Sequence, residues 1–141
     1  MSRRSEILQE YTAALAGATY LDNAIAQVYR GFRWLDQIND FPTISYNIQS
    51  SSLVHIGAND RYYSCGVALR AYVRGEDPQA LLDQILLDIE DVTQNFRDSA
   101  SPSLEVVDAR VDSVSSDEGV MAPIGVADMR ITISYKQSSI V

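Results

Sequence analysis

Ten consecutive residues near the end of the chain alternate without exception. Ala127, Met129, Ile131, Ile133 and Tyr135 are interleaved with Asp128, Arg130, Thr132, Ser134 and Lys136. A period of two puts successive side chains on opposite faces of a pleated strand, so this stretch buries one face and wets the other. No helix accommodates that order. Tyr63 to Val73 repeats it: Tyr63, Cys65, Val67, Leu69, Ala71 and Val73 share one parity, and Ser64, Gly66, Ala68, Arg70 and Tyr72 the other. Two such strands need a sheet with one covered face.

The cover is readable as two helices. Ile7, Leu8, Tyr11 and Leu15 recur at helical spacing between polar residues, and Gly17 is a stop signal. This single apolar stripe needs a partner, for which a sheet face is the natural choice. In the second helix Leu81, Leu82, Ile85, Leu86, Ile89 and Val92 follow Asp77-Pro78. Asp77 suits the N-cap and Pro78 the first helical position, whereas Ala80 at the third position denies a full capping box. The helix is predicted to run to about Asn95.

The remaining segments fit around these. Ala26 to Phe32 is a short strand candidate, and Arg33 to Asp40 is an apolar loop ending at Phe41-Pro42, a dipeptide that favours extended backbone. Thr43 to Gln49 alternates and pairs with Tyr63 to Val73 as a long hairpin. Gly57 and Asn59-Asp60 supply its turn chemistry, with Leu53, Val54 and Ile56 extending the first arm. Ser99 to Ser103 is a loop. Leu104 to Val114 is a strand with Val107, Ala109 and Val111 on one parity. Ser115 to Gly119 is a turn, Pro123 and Gly125 keep the link irregular, and Gln137 to Val141 is a short flexible tail. The order is helix, strand, long hairpin, helix, hairpin. That is an α+β fold: one domain over residues 1–141, with a mostly antiparallel sheet and two helices packed on it.

Composition narrows the functions open to such a domain. Its 141 residues are enough to bury a core without metal or disulfide. Eleven Lys+Arg against nineteen Asp+Glu leave a net charge of −8, which argues against holding duplex nucleic acid on a basic face. The one cysteine, Cys65, forms no intrachain disulfide, and the one histidine, His55, excludes two-histidine metal sites. No apolar signal core follows the N-terminus. The longest uncharged run, Phe41 to Asn59, is too polar to cross a bilayer, so no membrane role and an intracellular or assembled soluble protein are expected.

Chemistry-bearing constellations are sparse. His55 has no nucleophile with a visible role beside it, and Cys65 sits on the apolar parity of its strand as a packing residue. Asp83, Asp88, Glu90 and Asp91 read as a solvated helix face, and Asp117-Glu118-Gly119 as a plain turn rather than a calcium loop. The seven glycines are dispersed and form no phosphate loop. Arg30, Arg33, Arg61, Arg70 and Arg74 lie near Tyr29, Trp34, Tyr62, Tyr63 and Tyr72 in sequence. A single-strand nucleic-acid platform uses that combination, but the acidic balance favours the other use of arginines beside rings, a protein interface. No catalytic residue, cofactor or metal is expected.

Several short features in order resemble the tail terminator (tail completion) proteins of tailed bacteriophages, over about residues 5 to 136. They are Val28-Tyr29-Arg30-Gly31, Leu35-Asp36, Phe41-Pro42, Asp77-Pro78 with Leu87-Asp88-Ile89, and Asp117-Glu118-Gly119 through Pro123-Ile124-Gly125-Val126-Ala127. That last loop leads into Ile131-Thr132-Ile133-Ser134-Tyr135, similar to the family's closing strand. The resemblance implies a structural virion protein rather than an enzyme. It implies a homo-oligomer, usually a hexameric ring, on the head-proximal end of the tail tube. Such a ring ends tube polymerisation and docks the head connector or neck protein, with the tail sheath as a further contact in contractile tails. DNA passes through the lumen without being read. The expected location is the virion tail, after assembly in the host cytoplasm.

A head-to-tail ring needs two different patches on each subunit. The candidate interface residues are Arg30, Arg33, Trp34, Leu35, Ile38 and Phe41 around the apolar loop, His55 at the hairpin tip, and Glu118, Val120, Met121 and Ile124 in the last loop. Arg30 and Arg33 are candidates to meet acidic helix residues of a neighbour. Ordinary loop packing is the competing account of each. The alternatives are another head-tail joining or neck protein, and a small ligand-binding α+β domain, which would need a pocket with converging polar groups. If the ring holds, carboxylates are expected to enrich its lumen side, where a negative wall does not retain sliding DNA.

Overall fold

The computed structural model describes residues 2–21, 24–32, 38–56, 60–117 and 122–138. Its helices are α1 (Arg3–Gly17) and α2 (Pro78–Ser99). Its strands are β1 (Thr19–Tyr20), β2 (Ala24–Ile25), β3 (Gln27–Arg30), β4 (Thr43–Ile56), β5 (Asp60–Arg74), β6 (Val106–Ser116) and β7 (Ile124–Ser138). The main sheet runs β3-β4-β5-β7-β6, antiparallel except for the parallel β3–β4 pair, and β1 with β2 forms a small separate ribbon. The α+β expectation therefore holds.

Alternation decides the inner face. In β7 Ala127, Met129, Ile131, Ile133 and Tyr135 are all buried, directly opposite buried Ala71, Leu69, Val67 and Cys65 and half-buried Tyr63 of β5. Tyr63 and Tyr135 stack with ring centroids 5.5 Å apart. α2 lies over β5, β6 and β7, burying Leu82, Ile85, Ile89, Thr93 and Phe96, and α1 lies beside it against β3. The helices meet where Tyr11 and Phe96 pack edge to face at 5.2 Å, and Tyr11 Oη and Thr93 Oγ1 share a buried hydrogen bond of 2.7 Å. Thr93 also donates to the carbonyl of Ile89, so its hydroxyl is satisfied inside an apolar layer.

The N-terminus of α2 is built as expected: the Asp77 side chain accepts from the Ala80 N–H at 3.2 Å, with Pro78 following. The cap is exposed and has no second role in packing. Asp77→Ala is expected to cost about 1 kcal/mol, measured by urea unfolding; a loss indistinguishable from zero would contradict the capping role.

Two buried tyrosines make the fold sensitive to alkali. Burial pushes the Tyr11 hydroxyl far above its ordinary value of 10.0, against the opposing Thr93 hydrogen bond. Burial does the same to Tyr20, with the nearby Asp88 carboxylate adding to it. The unfolded chain ionises both near the ordinary value while the folded chain keeps them neutral. Their contribution is complete below about pH 10 and is lost progressively above it. Urea midpoints should be level up to about pH 9 and fall beyond about pH 10; a flat profile would show that these phenols ionise freely in the fold.

Several boundaries and one strand face depart from the periodicity reading, each for a local reason; Ser115 and Ser116, read as turn, continue β6 because they pair with Asp128 and Ala127 of β7. α2 runs to Ser99, beyond Asn95, because Phe96 supplies another buried turn and the Ala100 N–H closes on the Phe96 carbonyl at 2.8 Å. Leu104 closes a 3-10 turn at Pro102–Leu104, and the strand starts at Val106. A bulge between Val106 and Asp108 puts Val107 on the exposed side, separating it from Ala109 and Val111. Ile124 and Gly125 belong to β7, where Gly125 pairs with Val73 beneath α2. Gln137 and Ser138 extend β7 rather than forming tail, with Ser138 paired to Asp60; residues 139–141 lie outside the described residues.

The acidic helix face is also not uniform. Asp83 and Asp91 are exposed, but Asp88 reaches back and accepts from the Leu21 N–H at 2.9 Å. Leu21 has φ +51°, so Asp88 secures the left-handed turn that follows β1.

Candidate functional site: the lateral faces and sheet edges

Of the candidate interface residues, Arg33, Trp34, Leu35, Glu118, Val120 and Met121 lie outside the described residues. The described end of the apolar loop turns inward: Ile38 is 8% exposed and Phe41 half-buried. His55 sits in β4, its backbone paired with Tyr62. Ile124 is half-buried at the start of β7, opposite Arg74. Arg30 is exposed at the end of β3. The five described positions thus fall in four places: the end of the loop, β4, the start of β7 and the end of β3.

The hairpin arm holds apolar residues that the sequence places in the arm without assigning them a contact. Leu53, Val54 and Ile56 are exposed on β4, Val54 at 64%. Val54, Tyr62, Tyr63 and Ser134 surround an open depression of about 470 Å³ beside them. The available signal was three apolar residues spread over both parities of one strand end, which no single buried face can absorb. Beyond Tyr46, no described strand pairs with the outer side of β4, and none pairs with the outer side of β6. Among the described residues the sheet therefore ends in an unpaired strand edge at each side, and such edges bind other strands unless something occupies them.

The uncovered face of the sheet is polar and charge-balanced. Arg70 donates to Asp128 at 2.7 Å and lies 4.5 Å from the centre of the Phe32 ring. Arg130 donates to Gln49 at 2.7 Å, and Arg110 pairs with Asp112 at 2.9 Å. The hydrogen bond to Asp128 raises the Arg70 guanidinium above its ordinary range, burial opposing. The Thr132 hydroxyl, then Arg110, holds the Asp112 carboxyl below its ordinary range despite some desolvation. Cys65 is buried among the core residues, and desolvation raises its thiol, opposed by the Ser51 side chain and Arg4. A neutral buried thiol suits packing rather than nucleophilic chemistry. Among the described residues no group of three His, Cys, Asp or Glu side chains could hold a metal, and no helix is long and apolar enough to cross a membrane.

By contrast, α2 concentrates negative charge. It carries five carboxylates against one arginine, Arg97. On its outward side Asp83, Leu87 and Asp91 follow at four-residue spacing, and Leu87 is 58% exposed. At the other side of the subunit, α1 and β4 enclose a groove of about 270 Å³ walled by Arg4 and Arg30, with Leu8, Tyr46 and Ile48 in its lining and no carboxylate.

Open sheet edges and charged lateral faces among the described residues are surfaces on which another chain can bind. The comparison with known proteins agrees. A family described as Bacteriophage Tail Tube Terminator Protein matches residues 1–141. The chain belongs to this family. Tail tube terminator protein p142 of Escherichia phage T5 is 24% identical over 127 residues, covering 83% of this chain and 79% of that protein. A chain from the virion of a native gene transfer agent particle has a similar fold, with a TM-score of 0.53 at 8% identity, covering 95% of this chain and 94% of that one. As a member of the terminator family the chain is a structural protein of the phage tail.

Proposed function

We propose that the protein forms a closed ring, six subunits in number, on the head-proximal end of the tail tube. There it stops tube polymerisation and offers its free face to the head connector or neck protein, without catalysing any reaction. The match of the terminator family to residues 1–141 carries this reading. The geometry supports it in one particular respect. A head-to-tail ring needs two unlike patches at opposite sides of the subunit. The β4 side offers an open edge, exposed Leu53, Val54 and Ile56, and the arginine groove; the β6 side offers another open edge and acidic α2.

The charge distribution changes one expectation. The acidic excess is concentrated on the helix layer, whereas the uncovered sheet face pairs arginines with aspartates. A subunit that lines the lumen with its sheet would present DNA with a balanced wall, and one that lines it with α2 a negative wall. Both leave DNA free to slide, because neither offers a net basic track.

The test is negative-stain imaging and native mass measurement of the purified chain, alone and with preformed tail tubes. Closed rings that cap one tube end and block further growth are expected. Rings that leave tube growth unaffected would instead indicate a joining or neck protein.

A further inference from the structure

We propose that the acidic outer face of α2 of one subunit seats in the α1–β4 groove of the next copy, with Leu87 entering between Arg4 and Arg30. The proposal rests on the ring reading above and names the contact that closes it.

Three observations converge. First, the two surfaces are complementary in charge. The groove has two arginines in its walls and no carboxylate in its lining, while Asp83 and Asp91 are exposed on α2. Second, they are complementary in polarity. Leu87 stands 58% exposed between the two aspartates, one turn from each, and the groove lining includes Leu8, Tyr46 and Ile48. A large apolar side chain flanked by charges, facing no part of its own core, has the composition of an interface anchor with a polar rim. Third, they lie at opposite sides of the subunit. α2 covers β5, β7 and the β6 edge, and the groove borders β3 and β4. Two copies joined this way leave one groove and one acidic face unused, so the contact propagates head to tail and closes only as a ring.

The groove is able to take the charge. Arg4 spends one donor on the Ser51 hydroxyl at 3.2 Å, and a guanidinium has five. Arg30 is exposed at the strand end. Arginine pairs well with aspartate across such a boundary because its planar fork can meet a carboxylate with two hydrogen bonds. A second copy of the chain is the occupant that supplies this match with no further component. The exposed Leu53, Val54 and Ile56 stay free for the tube or neck.

Charge reversal tests the contact in the full chain. Arg4→Glu with Arg30→Glu, and separately Asp83→Lys with Asp91→Lys, should each convert rings to monomers in analytical ultracentrifugation, raising the subunit dissociation constant by about tenfold or more. These are surface positions, so circular dichroism and thermal midpoint should match the wild type. An equimolar mixture of the two reversed proteins should restore rings, because each groove then meets an α2 face of opposite sign. That rescue cannot come from misfolded chains. Leu87→Asp should also abolish rings, and mixing should not rescue it. Wild-type rings with unaltered assembly in both reversed proteins would overturn this contact and leave the ring reading standing. A wild-type chain that stays monomeric alone and with tubes would overturn both.

Discussion

Phe96→Ala is expected to lower the stability of the fold by about 3–5 kcal/mol, the range for truncating a fully buried aromatic side chain. Phe96 is 1% exposed at the far end of α2, in edge-to-face contact with Tyr11 of α1. The loss combines a cavity with the removal of the aromatic pair. α1 depends on this joint more than α2 does. It packs on α2, β3 and the 3-10 turn, whereas α2 packs on three long strands. The mutation therefore loosens one wall of the arginine groove while the sheet stays paired. Urea unfolding should show a midpoint shift of the stated size, and ring assembly should weaken in parallel. A loss below about 1 kcal/mol would mean that α1 is held by other contacts.

Gly125→Val is the second large effect. A Cβ at Gly125 would lie 2.8 Å from both Cγ and Cδ1 of Leu82 and 3.0 Å from Cγ2 of Val73. Leu82 and Val73 are both 0% exposed, so neither can swing away without displacing α2 or β5. The glycine is there because strand and helix approach too closely for any side chain. A valine should cost about 1–3 kcal/mol by overpacking. Leu82→Ala costs about 2–5 kcal/mol by itself. Combined in one chain, the two should be less damaging than their separate losses suggest, since each relieves the other. Strict additivity in thermal and urea unfolding would contradict the close approach.

These two sites show where periodicity reading works and where it stops. Phe96 lies beyond Asn95, the limit that the apolar stripe suggested, and its burial against Tyr11 with the Ala100 N–H closing on its carbonyl explains the extra turn. Gly125 reads as a loop residue because it follows Pro123, yet it pairs with Val73 inside the sheet. Val107 alternates correctly with Ala109 and Val111 in sequence, but a single inserted bulge residue reverses the face. A bulge leaves no periodic trace of its own.

The proposed interface was legible only in part. Arg30 and the acidic residues of the second helix stand out as charges, but their neighbours do not. Arg4 joins Arg30 because α1 packs beside β3, a fact about chain segments distant in sequence. Leu87 falls outside the apolar stripe of α2, and Leu53, Val54 and Ile56 read as hairpin arm. Whether an apolar side chain is core or contact surface depends on what lies opposite it. Ile38 shows the converse: it is a candidate interface residue with loop packing as the competing account, and it is buried.

The sequence by itself determined the α+β class, the buried faces of β5 and β7, the start of α2 at Asp77-Pro78, and the absence of a two-histidine metal site. Each follows from local spacing or from a count, which no later folding step can alter. Only the tertiary structure decided the parallel β3–β4 pair, the open edges of β4 and β6, and the separation of the acidic face from the arginine groove. Those are relations between segments far apart in the chain, set by which surfaces the core consumes and which it leaves exposed.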